Sequence, residues 1–270
     1  MLYYLPRESS AHSEQAMETT KLTPKQLEIL LLLYRYRFLD RTHIQRFLHH
    51  KDPKRINTWL KDLTDKNIIG RKYSRKLKEN TKPAIYHLAT KSRKILLERN
   101  DTNEKLLKRV YREKTRSQRL IDHCSLVADM HFLLLSKLNK NEKLHFFTQT
   151  DLVNHYYLPY KRPDAYIAVE GEKETKRYFL EIIDEGTPRF LLRSRIASLI
   201  EYFDEKTWYK KTNNTDPALL FVCPNLTLKT FLYRHISQVL EEEAEDELQF
   251  YLTSKEQIDY SDGNIWELVE

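Results

Sequence analysis

Apolar residues recur at helical spacing through Leu27, Leu30, Leu31 and Tyr34, directly after Thr23, Pro24 and Gln26. A threonine cap, a proline at the first helical position and a glutamine three residues past the cap open a helix, which the spacing carries to about Arg37. Asp40 or Thr42 opens a second, short helix bearing Ile44, Phe47 and Leu48. Asp52-Pro53 opens a third. Its apolar stripe is Ile56, Trp59, Leu60 and Leu63, which leaves Lys54, Arg55, Asn57, Thr58 and Lys61 on the other faces. The basic stretch Asn67 to Tyr73 and the run Pro83 to Leu88 then predict a hairpin with a basic tip, and a helix follows from about Thr90 to Glu98. Three helices, a two-stranded hairpin and a closing helix spell a winged helix-turn-helix over residues 21–100.

Residues 101–119 are densely charged and are expected to form a helical linker that joins two domains or lies along DNA. Beyond them the period lengthens into an amphipathic helix from about Leu120 to Leu138, with Ile121, Cys124, Val127, Ala128, His131, Phe132 and Leu135 facing inward. Strand-like runs follow at Leu144 to Leu152, Ala165 to Val169, Tyr178 to Ile183 and Ala218 to Cys223. A helix from about Phe190 to Asp204 separates the last two. Leu226 to Glu243 adds another helix and Gln249 to Leu252 a further strand. The order helix, three strands, helix, strand predicts an α/β domain over residues 120–270. Residues 1–20 show neither period and are expected to be a flexible tail.

Charge sharpens this division. From Lys21 to Arg119, 28 Lys and Arg stand against 10 Asp and Glu, whereas from residue 120 onward 17 stand against 26, so the formal net charge of +7 hides a basic half and an acidic half. A basic block of this size is suited to a polyanion, and double-stranded DNA is the expected partner. The long basic side chains of the third helix would neutralise phosphates while Arg55 and Asn57 read base edges, and Arg71, Lys72, Arg75, Lys76 and Lys78 around the wing would contact the backbone or minor groove. The acidic run Glu241 to Glu247 reads as a solvated helix end. No apolar run is long enough to span a membrane and the start is not a signal peptide, so a cytoplasmic protein is expected. Cys124 and Cys223 lie in apolar stretches without metal-ligand spacing and read as small buried hydrophobes. With 4 glycines in the chain and no phosphate-binding loop, an ATPase is disfavoured.

Candidate chemistry lies in the second half. Arg162-Pro163-Asp164 opens one strand and Glu181 sits in the next, with Asp184 just beyond. Carboxylates at the ends of adjacent strands can hold Mg²⁺ or Mn²⁺ through oxygen ligands, and such an ion activates water against a phosphodiester. The arrangement resembles the restriction-endonuclease-like fold, in which the second acid is followed, two residues on, by a lysine. Here that position is Ile183. The sequence thus leaves two alternatives: a metal-dependent endonuclease using Asp164, Glu181 and Asp184, or a nuclease-like domain that is catalytically silent. Lys176, Arg193 and Arg195 are the basic side chains with a reach to the acids, although an arginine stays protonated and cannot act as a general base.

The segments Leu22-Thr23-Pro24-Lys25-Gln26-Leu27-Glu28-Ile29-Leu30 running into Tyr34-Arg35-Tyr36-Arg37-Phe38-Leu39, Arg162-Pro163-Asp164-Ala165 and Phe179-Leu180-Glu181-Ile182-Ile183-Asp184-Glu185-Gly186-Thr187, with His123 early in the long helix, resemble the replication-relaxation family. The family's basic residue after the second-motif Asp is Glu185 here. The resemblance implies a bacterial plasmid or mobile-element protein acting in replication or DNA relaxation. A binding factor of this kind is expected to use its second domain for homodimerisation or for contact with replication or mobilisation proteins. A tyrosine relaxase is a weaker alternative, because the 17 tyrosines are not accompanied by a histidine-rich metal cluster.

Overall fold

The structure, a computed structural model, describes residues 22–73, 83–99, 101–243, 248–260 and 264–270. Helix α1 (Pro24–Tyr36) begins at Thr23, whose hydroxyl accepts from the Gln26 N–H while the Gln26 side chain accepts from the Thr23 N–H. Asp40 caps α2 (Arg41–Phe47) and Asp52 caps α3 (Pro53–Asp65). Strands β1 (Leu39–Asp40), β2 (Ile69–Lys72) and β3 (Ile85–Leu88) form an antiparallel sheet in the order β1-β3-β2, and α4 (Ser92–Leu97) follows. This is the winged helix expected from the sequence. Strand β1 is an addition, since two residues are too few to show alternation. Gly70 lies opposite His87 in the β2–β3 ladder, and a Cβ there would meet the imidazole at 2.3 Å.

Residues 101–119 do not form one continuous helix. They fold into α5 (Glu104–Leu107) and a 3-10 turn over Val110–Thr115, and the buried side chains of Leu107 and Val110 seat the segment in the core. Arg37 donates to both oxygens of Glu113, tying the turn back to the end of α1.

Helix α6 (Gln118–Ser136) leads into a six-stranded mixed sheet. Its strands are β4 (Lys143–Thr148), β5 (Ala165–Glu170), β6 (Thr175–Ile182), β7 (Ala218–Cys223), β8 (Phe250–Ser254) and β9 (Glu267–Leu268), in that spatial order. β4, β5 and β6 are antiparallel, β6, β7 and β8 are parallel, and β9 returns antiparallel. Helices α7 (Arg189–Asp204) and α8 (Thr207–Thr212) connect β6 to β7, while α9 (Leu226–Glu243) connects β7 to β8 and α10 (Lys255–Tyr260) follows β8. Val127, Ala128 and Met130 of α6 cluster with Leu180, Ile182, Leu220 and Val222 on one face of the sheet. On the other face, Leu192, Ile196 and Leu199 of α7 and Leu232 and Ile236 of α9 pack on Phe179, Phe221 and Phe250. Leu135 of α6, expected to face inward, is exposed, while Met130 is buried. Together this is the restriction-endonuclease-like architecture expected, a mixed sheet between helices.

One apolar cluster runs from α1, α2 and α3 through α6 into the sheet. Arg35 carries the polar side of that junction, donating to Asp151 at 2.6 Å and to the Phe146 carbonyl, while its own carbonyl accepts from Thr148. The Tyr36 hydroxyl and His131 Nδ1 share a hydrogen bond of 2.6 Å, and His43 Nε2 lies 2.9 Å from Asp129.

Candidate functional site

Arg162-Pro163 leads into Asp164, which stands just ahead of β5. Arg162 donates to the carbonyls of Leu152 and Val153, and the Asp164 N–H donates to the Leu180 carbonyl, which fixes the start of β5 against β6. One Asp164 oxygen accepts the Ile182 N–H at 2.7 Å and the other lies 3.1 Å from His123 Nε2. His123 Nδ1 is 2.9 Å from Asp184, and the second Asp184 oxygen accepts from Arg119 Nε at 3.0 Å. Arg119 also donates to the Thr187 hydroxyl at 2.9 Å. Gly186, at φ +73°, makes the turn that brings Asp184 and Thr187 together. The sequence marked His123 only through the family resemblance and gave no sign that it bridges two of the predicted acids.

Glu181 belongs to a separate ion pair. Arg195, from the buried stripe of α7, donates to both its oxygens, through Nε at 3.1 Å and through Nη2. Asp164, Glu181, Asp184, His123, Arg119 and Arg195 line one cleft of about 840 Å³ beside α7. Ile183, in the lysine position, is buried in the apolar cluster beneath α7 and α9. Lys176 lies at the other end of β6, toward Glu174. Arg193 faces away, its guanidinium over the Phe231 ring at 5.5 Å. Of the three basic candidates, Arg195 reaches the acids.

Burial alone would push His123 down. The hydrogen bond and charge of Asp164, then those of Asp184, reverse this and raise it to about 9. A ring that meets a carboxylate at each nitrogen donates from both, which is the imidazolium form. Burial likewise raises the Glu181 carboxyl and Arg195 opposes the rise; a fork in which both oxygens accept is the carboxylate's geometry. Each predicted acid is therefore neutralised by a protein cation. Among the described residues no group of three or more His, Cys, Asp or Glu side chains is placed to hold a metal ion. A shared Mg²⁺ or Mn²⁺ would have to compete with His123 for Asp164 and with Arg195 for Glu181.

On the winged helix, Ile56, Leu60 and Leu63 anchor α3 in the core and leave Lys54, Arg55, Asn57, Thr58 and Lys61 exposed. Arg55 lies over Trp59 at 5.7 Å, and the Thr58 hydroxyl donates to the Lys54 carbonyl. Arg71 is exposed on β2. Lys72 is not part of that face: its ammonium donates to the Arg116 carbonyl at 2.7 Å and lies over Phe38, so its partial burial serves packing. Arg75, Lys76 and Lys78 fall outside the described residues, as does part of the acidic run after Glu242. Cys124 and Cys223 are buried free thiols.

No family model matches the chain, and no curated protein matches it in sequence. Among solved structures, a MepR-like protein complexed with pseudoligands is 19% identical, with 43% of this chain and 79% of that chain covered, at a TM-score of 0.27. A mutant of Lactococcus lactis ZitR is 20% identical, over 45% of this chain and 78% of its own, also at 0.27. The restriction endonuclease FokI, solved free and bound to DNA, is 13% identical over 87% of this chain, at 0.32. The chain spans 43% of the FokI chain it matches. These likenesses are remote, and the fold described above rests on the chain's own strand order and helix placement. No helix among the described residues is long and apolar enough to cross a membrane.

Proposed function

We propose that this chain is a duplex DNA-binding protein that reads its site through α3, with a second domain that keeps a nuclease-like fold without nuclease chemistry. The observation that carries this reading is the outer face of α3. Two lysines, an arginine, an asparagine and a threonine stand exposed on one helix whose opposite face is locked into the core. Lysines there neutralise phosphates, while arginine and asparagine make paired hydrogen bonds to guanine and adenine edges. The basic half of the chain supplies the long-range attraction such a helix needs. Silence of the second domain is favoured by the pairing of Glu181 with Arg195 and of Asp164 with His123.

The service we infer, replication, relaxation or maintenance of a plasmid or mobile element, rests on the motif resemblance at Leu22 to Leu39, Arg162 to Ala165 and Phe179 to Thr187. Selection of bound duplexes from a randomised pool tests both levels. Enrichment of one motif, lost with Arg55→Ala and Asn57→Ala, supports reading by α3; recovery of unrelated sequences at every round would remove it. A match of the enriched motif to repeats in the chain's own replicon supports the plasmid role, and a match only to chromosomal promoters would argue for a transcriptional one.

A further inference from the structure

The second domain is acidic overall, yet one of its surfaces has the opposite character. On the side of α7 away from the cleft, Arg189 and Arg193 stand beside Arg234 and His235 of α9 around the half-buried ring of Phe231. Arg189 lies 4.7 Å and Arg193 5.5 Å from the centre of that ring. All three arginines are exposed, none forms an ion pair among the described residues, and no carboxylate lines the hollow they surround. At the end of α9, Glu242 accepts from the Gln238 side chain, and its charge acts on His235. Unpaired cations so close together repel one another, and a shared aromatic ring holds two of the guanidinium groups beside it in advance. Planar guanidinium groups held this way suit phosphate oxygens, which accept two parallel N–H bonds.

We propose that Arg189, Arg193 and Arg234 form a second nucleic-acid contact, gripping the phosphate backbone of the DNA that α3 reads. The proposal rests on the reading of α3 as a DNA-binding helix and extends it to the other domain. The winged helix supplies base recognition, and the arginine patch supplies sequence-independent affinity. The two roles have separable signatures. Phosphate contacts lower affinity as salt rises, by a slope of about 0.9 per contact, while base contacts set preference at fixed salt.

The experiment measures dissociation constants by fluorescence anisotropy across a salt series, using a long duplex that contains the selected site and another that lacks it. The proteins are the unaltered chain, an α3 variant (Lys54→Ala, Arg55→Ala, Lys61→Ala), a patch variant (Arg189→Gln, Arg193→Gln, Arg234→Gln) and a charge-retaining patch variant (Arg189→Lys, Arg193→Lys, Arg234→Lys). The glutamine variant is expected to weaken both duplexes equally and to lower the salt slope by about 2 to 3. The lysine variant is expected to keep the slope, and the α3 variant to lose the preference between duplexes. A glutamine variant with unchanged slope and affinity overturns the patch while leaving α3 intact. No binding by the unaltered chain overturns both.

Discussion

The guanidinium of Arg195 forks onto both carboxylate oxygens of Glu181, with each side chain only 7% exposed. A pair this dry contributes little net stability as a pair, but removing one member strands a charge in the core. Arg195→Met is expected to destabilise the fold by about 3–5 kcal/mol. The double variant Arg195→Met with Glu181→Leu should recover most of that loss, because no charge is then left unpaired. Urea unfolding of the two variants decides it: equal stability of the single variant and the unaltered chain would mean the pair is not formed.

The junction between the domains predicts acid sensitivity. Burial, with the nearby Arg35 charge, pushes His131 down to about 4, so in the fold its ring is neutral beside Tyr36. A base whose folded value lies below its unfolded value of about 6.5 contributes fully above that pH and loses the contribution as pH falls toward about 4. His87, also lowered by burial, acts in the same direction. His43 acts in the other: burial lowers it, but Asp129 and Asp40 outweigh burial, so its share is lost as pH rises through its folded value. His131→Phe keeps a ring against Phe47 and Phe146 and removes the titrating group. The fall in unfolding midpoint between pH about 6.5 and about 4 should be smaller in that variant, and an unchanged fall would assign the acid lability elsewhere.

Gly70 is a packing position as well as a strand residue. An added methyl would meet the His87 ring, which is buried and whose Nδ1 lies 2.9 Å from the Leu88 carbonyl. Gly70→Ala is expected to cost about 1–3 kcal/mol, the usual range for overpacking. His87→Ala in the same chain should make the added methyl harmless, which thermal melting of the single and double variants would reveal as non-additivity.

What the sequence disclosed and what it hid follow from the range of the interactions. Thr23-Pro24 with Gln26, Asp52-Pro53 and the 3.6-residue stripes are local signals, so α1, α3, α6, α7 and α9 could be read to within a few residues. The runs at Ala165, Tyr178 and Ala218 likewise marked β5, β6 and β7. Pairings across the fold had no such local trace: Arg195 with Glu181 and His123 with Asp164 and Asp184 depend on the packing of α7 and α6 on the sheet, and Arg35 with Asp151 on the seating of α1 against the end of β4. One clue was available. Arg195 is in phase with Leu192, Ile196 and Leu199, and a charge on the buried stripe of a helix requires a buried partner. Lys72 misled for the converse reason, since a lysine beside a basic wing turned inward to a carbonyl.

On the DNA side, Arg55 and Asn57 are expected to differ from Lys54 and Lys61 in kind. Asn57→Ala should cost about 1–3 kcal/mol on the selected duplex and relax preference at one base pair, with little effect on unrelated DNA. Lys54→Ala should weaken all duplexes alike and lower the salt slope by about 0.9. Competition binding with single-base variants of the selected site separates the two. A lysine variant that alters base preference would move recognition away from phosphate.

The last expectation concerns the acids themselves. Supercoiled plasmid incubated with the protein and Mg²⁺ or Mn²⁺ should remain supercoiled, because each carboxylate that a metal would need is already bound to a protein cation. Breaking those pairs without replacing the missing lysine at Ile183 supplies ligands but no catalytic base, so Arg195→Met should show no cleavage either. Cleavage by the unaltered chain that disappears in both Asp164→Ala and Glu181→Ala, and in EDTA, would establish a nuclease whose ion pairs open on DNA. Cleavage that persists in both variants would point to a contaminant. Intact plasmid bound in a salt-dependent way is the outcome this arrangement of charges predicts.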